Sequence, residues 1–119
     1  MARYVDGFVV PVPKAKLAAY KKMARLGSKV WREHGALEYV ECIADDVKPG
    51  KVTSFPQSVK LKKGEIVVFA WIVYKSRKDR DRILEKVMND KRMAGYDPKD
   101  MPFDGKRMFF GGFEVMVKN

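Results

Sequence analysis

Several residue types from which functional sites are commonly built are scarce in this sequence. Its 119 residues include one cysteine, Cys42, and one histidine, His34. A single cysteine excludes a disulfide within the chain and any metal cluster held by several cysteines. No zinc-finger spacing, Gly-rich phosphate loop or aromatic ribonucleoprotein motif is present. We therefore expect neither a bound metal nor a cofactor.

Long apolar stretches are also missing. No apolar run approaches the roughly 18 residues that a membrane-spanning helix needs. Near the N-terminus, Asp6 stands where a secretory signal peptide would have its apolar core. The expected location is therefore the reducing cytoplasm, without membrane contact. The length fits one domain over residues 1–119, large enough to bury a core of its own.

Basic residues are in excess over acidic ones. Lysine and arginine number 25 against 15 acidic residues, which gives a net charge of +10. The segment from Lys14 to Arg32 holds seven cations and no acid. Such a helix face can bind phosphates, so a basic nucleic-acid-binding module is one alternative function. A solvated helix face is the favoured interpretation, because specific readout of a nucleic acid needs more than charge.

Hydrophobic periodicity predicts elements in the order β-α-β-β-α-β. The expected strands cover residues 3–12, 36–44, 65–74 and 107–117, and the expected helices cover residues 14–34 and 77–89, the second capped by Ser76. A short strand extension over Val52–Phe55 and a loop through Tyr96 are also expected, and Gly27 indicates a close approach of the first helix to a strand. The order is the ferredoxin-like plan, an α+β fold with a four-stranded antiparallel sheet and both helices on one face.

The third strand is apolar on both of its faces. One face carries Val67, Phe69, Trp71 and Val73, and the other carries Ile66, Val68, Ala70 and Ile72. A sheet covered by helices on one side only should alternate apolar and polar residues. A second copy of the same sheet is the simplest cover for the other face, and two-fold dimers are the commonest oligomers. We therefore expect a homodimer.

Four stretches of the chain resemble the YbaA-like family of small bacterial proteins. They are Tyr4–Phe8, Trp31–Cys42, Lys51–Pro56 and Met101–Met108, and the resemblance extends over essentially the whole chain. It implies a dimeric α/β barrel in which two ferredoxin-like subunits join sheet to sheet. It implies no activity, because the family is a class of unknown function. No catalytic position is carried over from the wider barrel superfamily, which includes cofactor-independent monooxygenases and haem-binding proteins.

The stretch Met101–Phe113 combines a turn signal, two cations and a glycine pair ahead of the last strand. Pro102–Gly105 predicts a β-turn. An antiparallel pairing of the first and last strands places Gly7 near the glycine pair 111–112 and Asp6 near Phe113, and missing side chains leave room for a ligand. The predicted ligand-binding residues are Asp6, Trp71, Asp104, Lys106, Arg107, Gly111 and Gly112. The alternative is that the aspartate and arginine of the turn staple it, and that the glycines ease dimer packing.

Three residues are candidates for a catalytic role: Asp6, His34 and Arg107. Asp6 is a carboxylate in an otherwise apolar strand, so a site carboxylate and a structural ion pair are both open. His34 is either a base or haem ligand, or a helix C-terminal residue favoured by the helix dipole.

Other polar residues of the second strand invite weaker interpretations. Glu38 and Glu41 fall on opposite faces by parity, which is compatible with hard-metal binding or with a charged edge that blocks aggregation. Cys42 sits among apolar residues and is expected to behave as a small buried hydrophobe.

These observations favour a small-molecule-binding protein or a cofactor-independent enzyme with a pocket between sheet and helices. Lys106 and Arg107 at the rim of the predicted pocket favour an anion or a polar aromatic ligand. A nucleic-acid-binding module and a structural or stress-related dimer without catalysis are the alternatives. A pocket lined by Asp6, Trp71 and Arg107 would favour the small-molecule-binding protein or enzyme. Binding to nucleic acid that weakens steeply with salt would favour the nucleic-acid-binding module.

Overall fold

The computed structural model describes residues 2–95 and 97–119, and in them four strands form one antiparallel sheet. In chain order the elements are β1 (Tyr4–Pro13), α1 (Leu17–Glu33), β2 (Glu38–Ile43), α2 (Phe55–Ser58), β3 (Glu65–Tyr74), α3 (Arg77–Met88) and β4 (Phe109–Glu114). The strand order across the sheet is β2-β3-β1-β4. The α+β ferredoxin-like plan is thereby confirmed. A loop is expected through Tyr96, and Tyr96 itself lies outside the described residues.

Local signals fix the ends of the two long helices. Gly35 has a φ angle of 120°, the left-handed conformation that ends α1 as the sequence predicts. Ser76 caps α3, because its hydroxyl accepts a hydrogen bond from the amide of Asp79 over 3.1 Å. None of the helices in the described residues is long and apolar enough to cross a membrane.

The prediction of a short strand over Val52–Phe55 is wrong. The chain instead enters α2 at Phe55, because the hydroxyl of Ser54 accepts a hydrogen bond from the amide of Gln57 over 3.3 Å and so caps a helix. A proline in the first turn suits a helix start, since its missing amide proton would have no partner there. The Phe55 ring packs edge-on against Phe69 of β3, with ring centres 5.6 Å apart.

Helices α1 and α3 pack on the face of the sheet formed by the even-numbered residues of β1 and β3. Side chains at the centre of this layer are fully buried: Val12, Val30, Tyr74, Ile83 and Val87. Burying one side chain of this size contributes about 1.5–3 kcal/mol. This layer is therefore the main source of the fold's stability.

The odd-numbered residues of β1, β3 and β4 form the opposite face of the sheet, which we call the open face. Phe69, Trp71, Phe109 and Phe113 lie on it, and Phe113 is 65% exposed. Both faces of β3 are therefore apolar, as the sequence predicts. Phe69, Phe109 and Phe113 are left exposed to solvent on this face of the described chain.

The register of β1 against β4 agrees with the predicted pairing to within one residue. Gly7 lies opposite Gly111, and Asp6 lies opposite Gly112 rather than Phe113. A Cβ atom added at Gly112 would come within 2.6 Å of Cε2 of Tyr4, whose ring lies over this position. The space at Gly112 is therefore occupied by an aromatic ring on the helix-facing side, and it is not free for a ligand.

Candidate functional site

Asp6 forms a buried ion pair with α3. It is 3% exposed, and Nη1 of Arg80 donates to its Oδ1 atom over 3.0 Å. Burial raises the pKa of the Asp6 carboxyl, and the Tyr74 hydroxyl and the Arg80 guanidinium oppose that rise. The same guanidinium lies 4.9 Å from the centre of the Tyr4 ring, a cation–π contact. Of the two interpretations of Asp6, the contacts match the structural ion pair.

Arg107 holds the turn that precedes β4. Its two terminal nitrogens donate to the carboxylate of Glu65 over 2.8 and 2.6 Å, and its Nε donates to Oδ2 of Asp104 over 2.8 Å. These hydrogen bonds lower the pKa of both carboxyls. Arg107 also donates to the carbonyl oxygens of Val59 and Lys60. Its contacts match a staple of the turn.

The seven residues predicted to bind one ligand are not brought together. Arg107 meets β3 at Glu65, whereas Asp6 pairs with Ile72, seven residues or about 23 Å further along that strand. Trp71 lies on the open face, whereas Asp6 faces the helices. The remaining members are Asp104 and Lys106 in the turn and Gly111 and Gly112 in β4. Trp71 and Gly111 line one hollow on the open face, which the other five do not line, and a ligand-binding role for any of the seven stays a prediction.

His34 and Cys42 also lie apart from one another. His34 directly follows α1, and its Nε2 lies 2.9 Å from Oδ2 of Asp90. Hydrogen bonds from Arg92 and His34 hold the pKa of the Asp90 carboxyl far below its usual range.

Cys42 is exposed because β2 is an edge strand, so the prediction of a buried cysteine is wrong. No group of three or more metal-ligating side chains occurs in residues 2–95 and 97–119.

A different site lies between the helices and the sheet. This cavity, which we call the inner cavity, has a volume of about 380 Å³. Its floor is made by Phe8 and Val10 of β1 and by Ala70 and Ile72 of β3, and α1 forms one wall. The position is the one expected for a pocket between sheet and helices.

Methionines make up much of the inner cavity's wall. Met23 lies on α1, Met88 ends α3, and Met93, Met101 and Met108 come from the segment that links α3 to β4. These are five of the seven methionines in the chain. Methionine side chains are unbranched and polarizable, so they adapt to ligands of different shape. The lining therefore suits an apolar guest.

One polar cluster interrupts this apolar wall, and it consists of Glu41, Tyr20 and Tyr39. The hydroxyl of Tyr20 donates to Oε1 of Glu41, and the hydroxyl of Tyr39 donates to Oε2 over 2.7 Å. Burial, followed by the charge of Glu41, raises the pKa of both phenols above the usual value for tyrosine. Both tyrosines therefore stay protonated at neutral pH and donate to the carboxylate.

Gly27 explains how Tyr39 reaches this cluster. A Cβ atom at Gly27 would lie 3.0 Å from the Tyr39 hydroxyl oxygen, which is tighter than an ordinary contact. The Trp31 ring packs against Tyr39 from the next turn of α1, with ring centres 5.9 Å apart. The close approach of helix and strand predicted at Gly27 is thus confirmed, and the group that approaches is a phenol.

A groove of about 270 Å³ lies between α1 and β2, on the outer side of the cluster. It shares Tyr20, Tyr39 and Glu41 with the inner cavity, and it is also lined by Lys21 and Arg25. The polar cluster therefore borders both the apolar inner cavity and a groove that carries cations. We call this second space the outer groove.

The sequence held part of the information about this cluster. Glu38 and Glu41 lie on opposite faces of β2, as predicted: Glu38 accepts a hydrogen bond from Nε1 of Trp71 over 3.0 Å, and Glu41 faces the helices. Leu17, Tyr20 and Ala24 recur at helical spacing, which predicts that Tyr20 belongs to the apolar stripe of the first helix, and nothing in the sequence indicates that its hydroxyl meets Glu41. The available signal was a carboxylate on each face of β2, one of which has to face the helices.

Comparison with known proteins identifies the family. A family described as "Protein of unknown function (DUF1428)" matches residues 3–105. The chain belongs to the DUF1428 family. The uncharacterized protein YbaA of Escherichia coli strain K12 and that of Shigella flexneri are each 50% identical to it over 115 residues, which are 97% of either chain. The resemblance to the YbaA-like family is therefore confirmed.

Two solved structures with the same fold are distant in sequence from this DUF1428 protein. A dimeric ferredoxin-like protein from an uncultured marine organism has a TM-score of 0.62 at 11% identity, with all of both chains covered. A second dimeric ferredoxin-like protein from an uncultured marine organism has a TM-score of 0.52 at 12% identity, covering 100% of this chain and 98% of that one. At this identity the likeness supports the fold alone, and no site residue is transferred.

Proposed function

We propose that this DUF1428 protein binds a small, mostly apolar molecule in the inner cavity. The observation that carries the proposal is the pairing of an apolar, methionine-rich wall with one convergent polar cluster at Glu41. Ligand sites are typically concave and apolar, with a few polar groups that orient the ligand. The volume of about 380 Å³ lies in the range of about 300–1,000 Å³ that is usual for such sites.

The lining also bears on the charge of the ligand. The cations expected at a pocket rim, Lys106 and Arg107, belong to the turn before β4 and do not line the inner cavity. The ionisable groups that line it in the described residues are the carboxyl of Glu41 and the hydroxyls of Tyr20 and Tyr39. A carboxylate in an apolar wall disfavours an anionic ligand. This arrangement supports a neutral or cationic ligand instead of the expected anion.

A compact, transparent alcohol, 1-adamantanemethanol, can test whether the inner cavity binds ligands. The chain has two tryptophans, of which Trp31 lines the inner cavity and Trp71 lies on the open face. A Trp71→Phe protein therefore reports on the cavity through Trp31 alone. We expect a saturable shift of Trp31 emission on titration with the probe, matched by a calorimetric binding isotherm.

A cavity-filling variant gives the matching control. Ala70 points into the inner cavity from β3, so Ala70→Leu should weaken binding of the alcohol by about tenfold or more. Ala19→Leu adds the same atoms at an exposed position of α1 and should leave binding unchanged. Absence of binding by the unmodified protein, or equal binding by both leucine variants, would refute the proposed site.

Assembly as a homodimer through the open face is part of this proposal. The aromatic side chains of that face, Phe69, Trp71, Phe109 and Phe113, need a cover that no long helix of the described chain supplies. The two ferredoxin-like proteins of similar fold are described as dimeric. A second copy of the chain presents the same apolar surface, and two-fold self-association buries both surfaces at once.

Two phenylalanines of β4 provide a matched test of that assembly. Phe113 and Phe110 are both 65% exposed, but Phe113 lies on the open face, whereas Phe110 stacks on Phe8 on the helix-facing side. Phe113→Lys should give a folded monomer by light scattering at micromolar concentration. Phe110→Lys should leave the dimer intact. A monomeric unmodified protein would refute this mode of assembly.

A further inference from the structure

The carboxylate of Glu41 faces the inner cavity with hydrogen-bonding capacity to spare. Each of its two oxygens accepts one phenolic hydrogen bond, from Tyr20 and from Tyr39. A carboxylate has about four lone-pair sites, so roughly two are left for other donors. A ligand in the inner cavity can therefore be met by an acceptor whose position is already fixed.

Glu41 forms no ion pair within 4.0 Å with a cation of the described chain. Lys21 and Arg25 line the outer groove, and neither forms an ion pair within 4.0 Å with a carboxylate of the described residues. The inner cavity itself is lined by no lysine or arginine in that part of the chain. Glu41 is half-buried, and the two hydrogen bonds that it accepts come from neutral phenols. A cationic ligand would supply the missing partner.

The two tyrosines orient this carboxylate by donating a hydrogen bond to each of its oxygens. Each uses its proton to bond Glu41, and each is held by packing: Tyr20 against Phe103 with ring centres 6.0 Å apart, and Tyr39 against Trp31. They come from α1 and β2, so the carboxylate is fixed from two elements. Tyr20 and Tyr39 are therefore positioning residues for the acceptor.

We infer that Glu41 determines specificity, selecting ligands with an apolar body and one hydrogen-bond-donating head, above all a protonated amine. This inference rests on the proposed binding function of the inner cavity. An ammonium both donates hydrogen bonds and neutralises the carboxylate. A neutral alcohol only donates. A carboxylate head meets like charge and has no proton to give.

Three probes with one apolar body separate these cases: 1-adamantanemethylamine, 1-adamantanemethanol and 1-adamantanecarboxylate. Measured by calorimetry at pH 7 on the unmodified protein, the amine should bind about tenfold or more tightly than the alcohol, in line with the larger contribution of charge-assisted hydrogen bonds. The carboxylate should bind more weakly than the alcohol. Emission from Trp31 in the Trp71→Phe protein reports whether each probe occupies the inner cavity.

Two glutamates of β2 make the variant test specific. Glu41→Gln keeps the shape and one acceptor but removes the charge, so the amine should lose its advantage while the alcohol still binds. Glu38→Gln changes the same residue type on the open side of the same strand and should preserve the ranking. If Glu41→Gln does not fold, the ranking on the unmodified protein still decides the question.

The outcomes distinguish this inference from the proposed function. If none of the three probes binds, the inner cavity is not a ligand site and both ideas fail. If the alcohol binds but the amine binds no more tightly, or the carboxylate binds best, ligand binding stands and the role of Glu41 is overturned. If the amine is preferred equally by Glu41→Gln and the unmodified protein, its partner is another group, which also overturns the inference.

Discussion

Removal of the Asp6 carboxylate should destabilise the protein, because it leaves the mostly buried guanidinium of Arg80 without one of its two carboxylate partners. Arg80 donates to Asp6 over 3.0 Å, and the two side chains are 16% and 4% exposed. Breaking a buried ion pair by deleting one partner costs about 3–5 kcal/mol. Arg80 keeps its stacking on Tyr4 and lies 2.9 Å from Asp81, so the lower end of that range, about 3 kcal/mol, is expected for Asp6→Ala.

This loss can be read from urea denaturation followed by circular dichroism. Domains of this size are stable by about 5–15 kcal/mol, so the variant should still fold. With a slope of about 1–3 kcal/mol per molar urea, its midpoint should fall by roughly 1–3 M. Glu33→Ala removes the carboxylate of an exposed pair with Arg92 and should barely move the midpoint.

The pH dependence gives the same prediction a second readout with a definite sign. Burial raises the pKa of Asp6 above its usual value of 3.8, so the folded state holds the proton more tightly than the unfolded state. The stability linked to this titration is complete below pH 3.8 and is lost as the pH rises through the folded pKa. The difference between the unmodified protein and Asp6→Ala should therefore widen on acidification.

Two results would refute this reasoning about Asp6. A cost of under about 1 kcal/mol would mean that Arg80 is solvated and that no buried charge is stranded. A stability difference between the unmodified protein and Asp6→Ala that narrows on acidification would mean that the ion pair lowers the pKa of Asp6 by more than burial raises it. The double variant Asp6→Leu with Arg80→Met removes both charges, and it should recover most of the lost stability, since apolar replacement of a buried pair is often neutral.

Three further perturbations test separate parts of the fold. Gly112→Val should cost about 1–3 kcal/mol in urea denaturation by displacing the Tyr4 ring, whereas Gly7→Ala, whose new atom meets nothing closer than 4.0 Å, should be tolerated. The lowered pKa of Asp90 contributes stability above pH 3.8, and this stability is lost as the pH falls through the folded pKa. The difference in urea midpoint between the unmodified protein and Asp90→Asn should therefore shrink on acidification. Lys22→Glu should change stability by less than about 0.5 kcal/mol and leave gel-shift affinity for RNA unchanged; a large loss of RNA affinity would favour the nucleic-acid alternative.

The fold was predictable because its signals are local. The bounds of β3 follow from one unbroken run of β-forming residues between Gly64 and the Ser76 cap, and they agree with the structure. The strand wrongly expected over Val52–Phe55 shows the limit of such signals. A β-branched residue and an aromatic one favour a strand, but Ser54 and the following proline favour a helix start, and capping decided the outcome.

The candidate site was harder to predict because it depends on contacts between distant segments. Asp6 and Arg107 looked like members of one site, since β1 and β4 pair. Each is instead neutralised by a residue that sequence reasoning had not paired with it, Arg80 and Glu65, which are 74 and 42 positions away. An ionic partner at such a separation leaves no periodic pattern in the sequence. A charged residue in an apolar run therefore predicts that an ion pair forms, but not which residue is the partner.

The position of Glu41 shows what parity can and cannot supply. Its three-residue spacing from Glu38 puts the two carboxylates on opposite faces of β2 whatever the register, and this much is readable from sequence. Which of the two meets the helices depends on how β2 is placed against β3, where Val40 lies opposite Trp71. A shift by one residue would turn Glu41 toward the open face and away from Tyr20. The specificity proposed for the inner cavity therefore depends on the register of an edge strand, and Tyr20 helps to hold that strand by bonding Glu41 from α1.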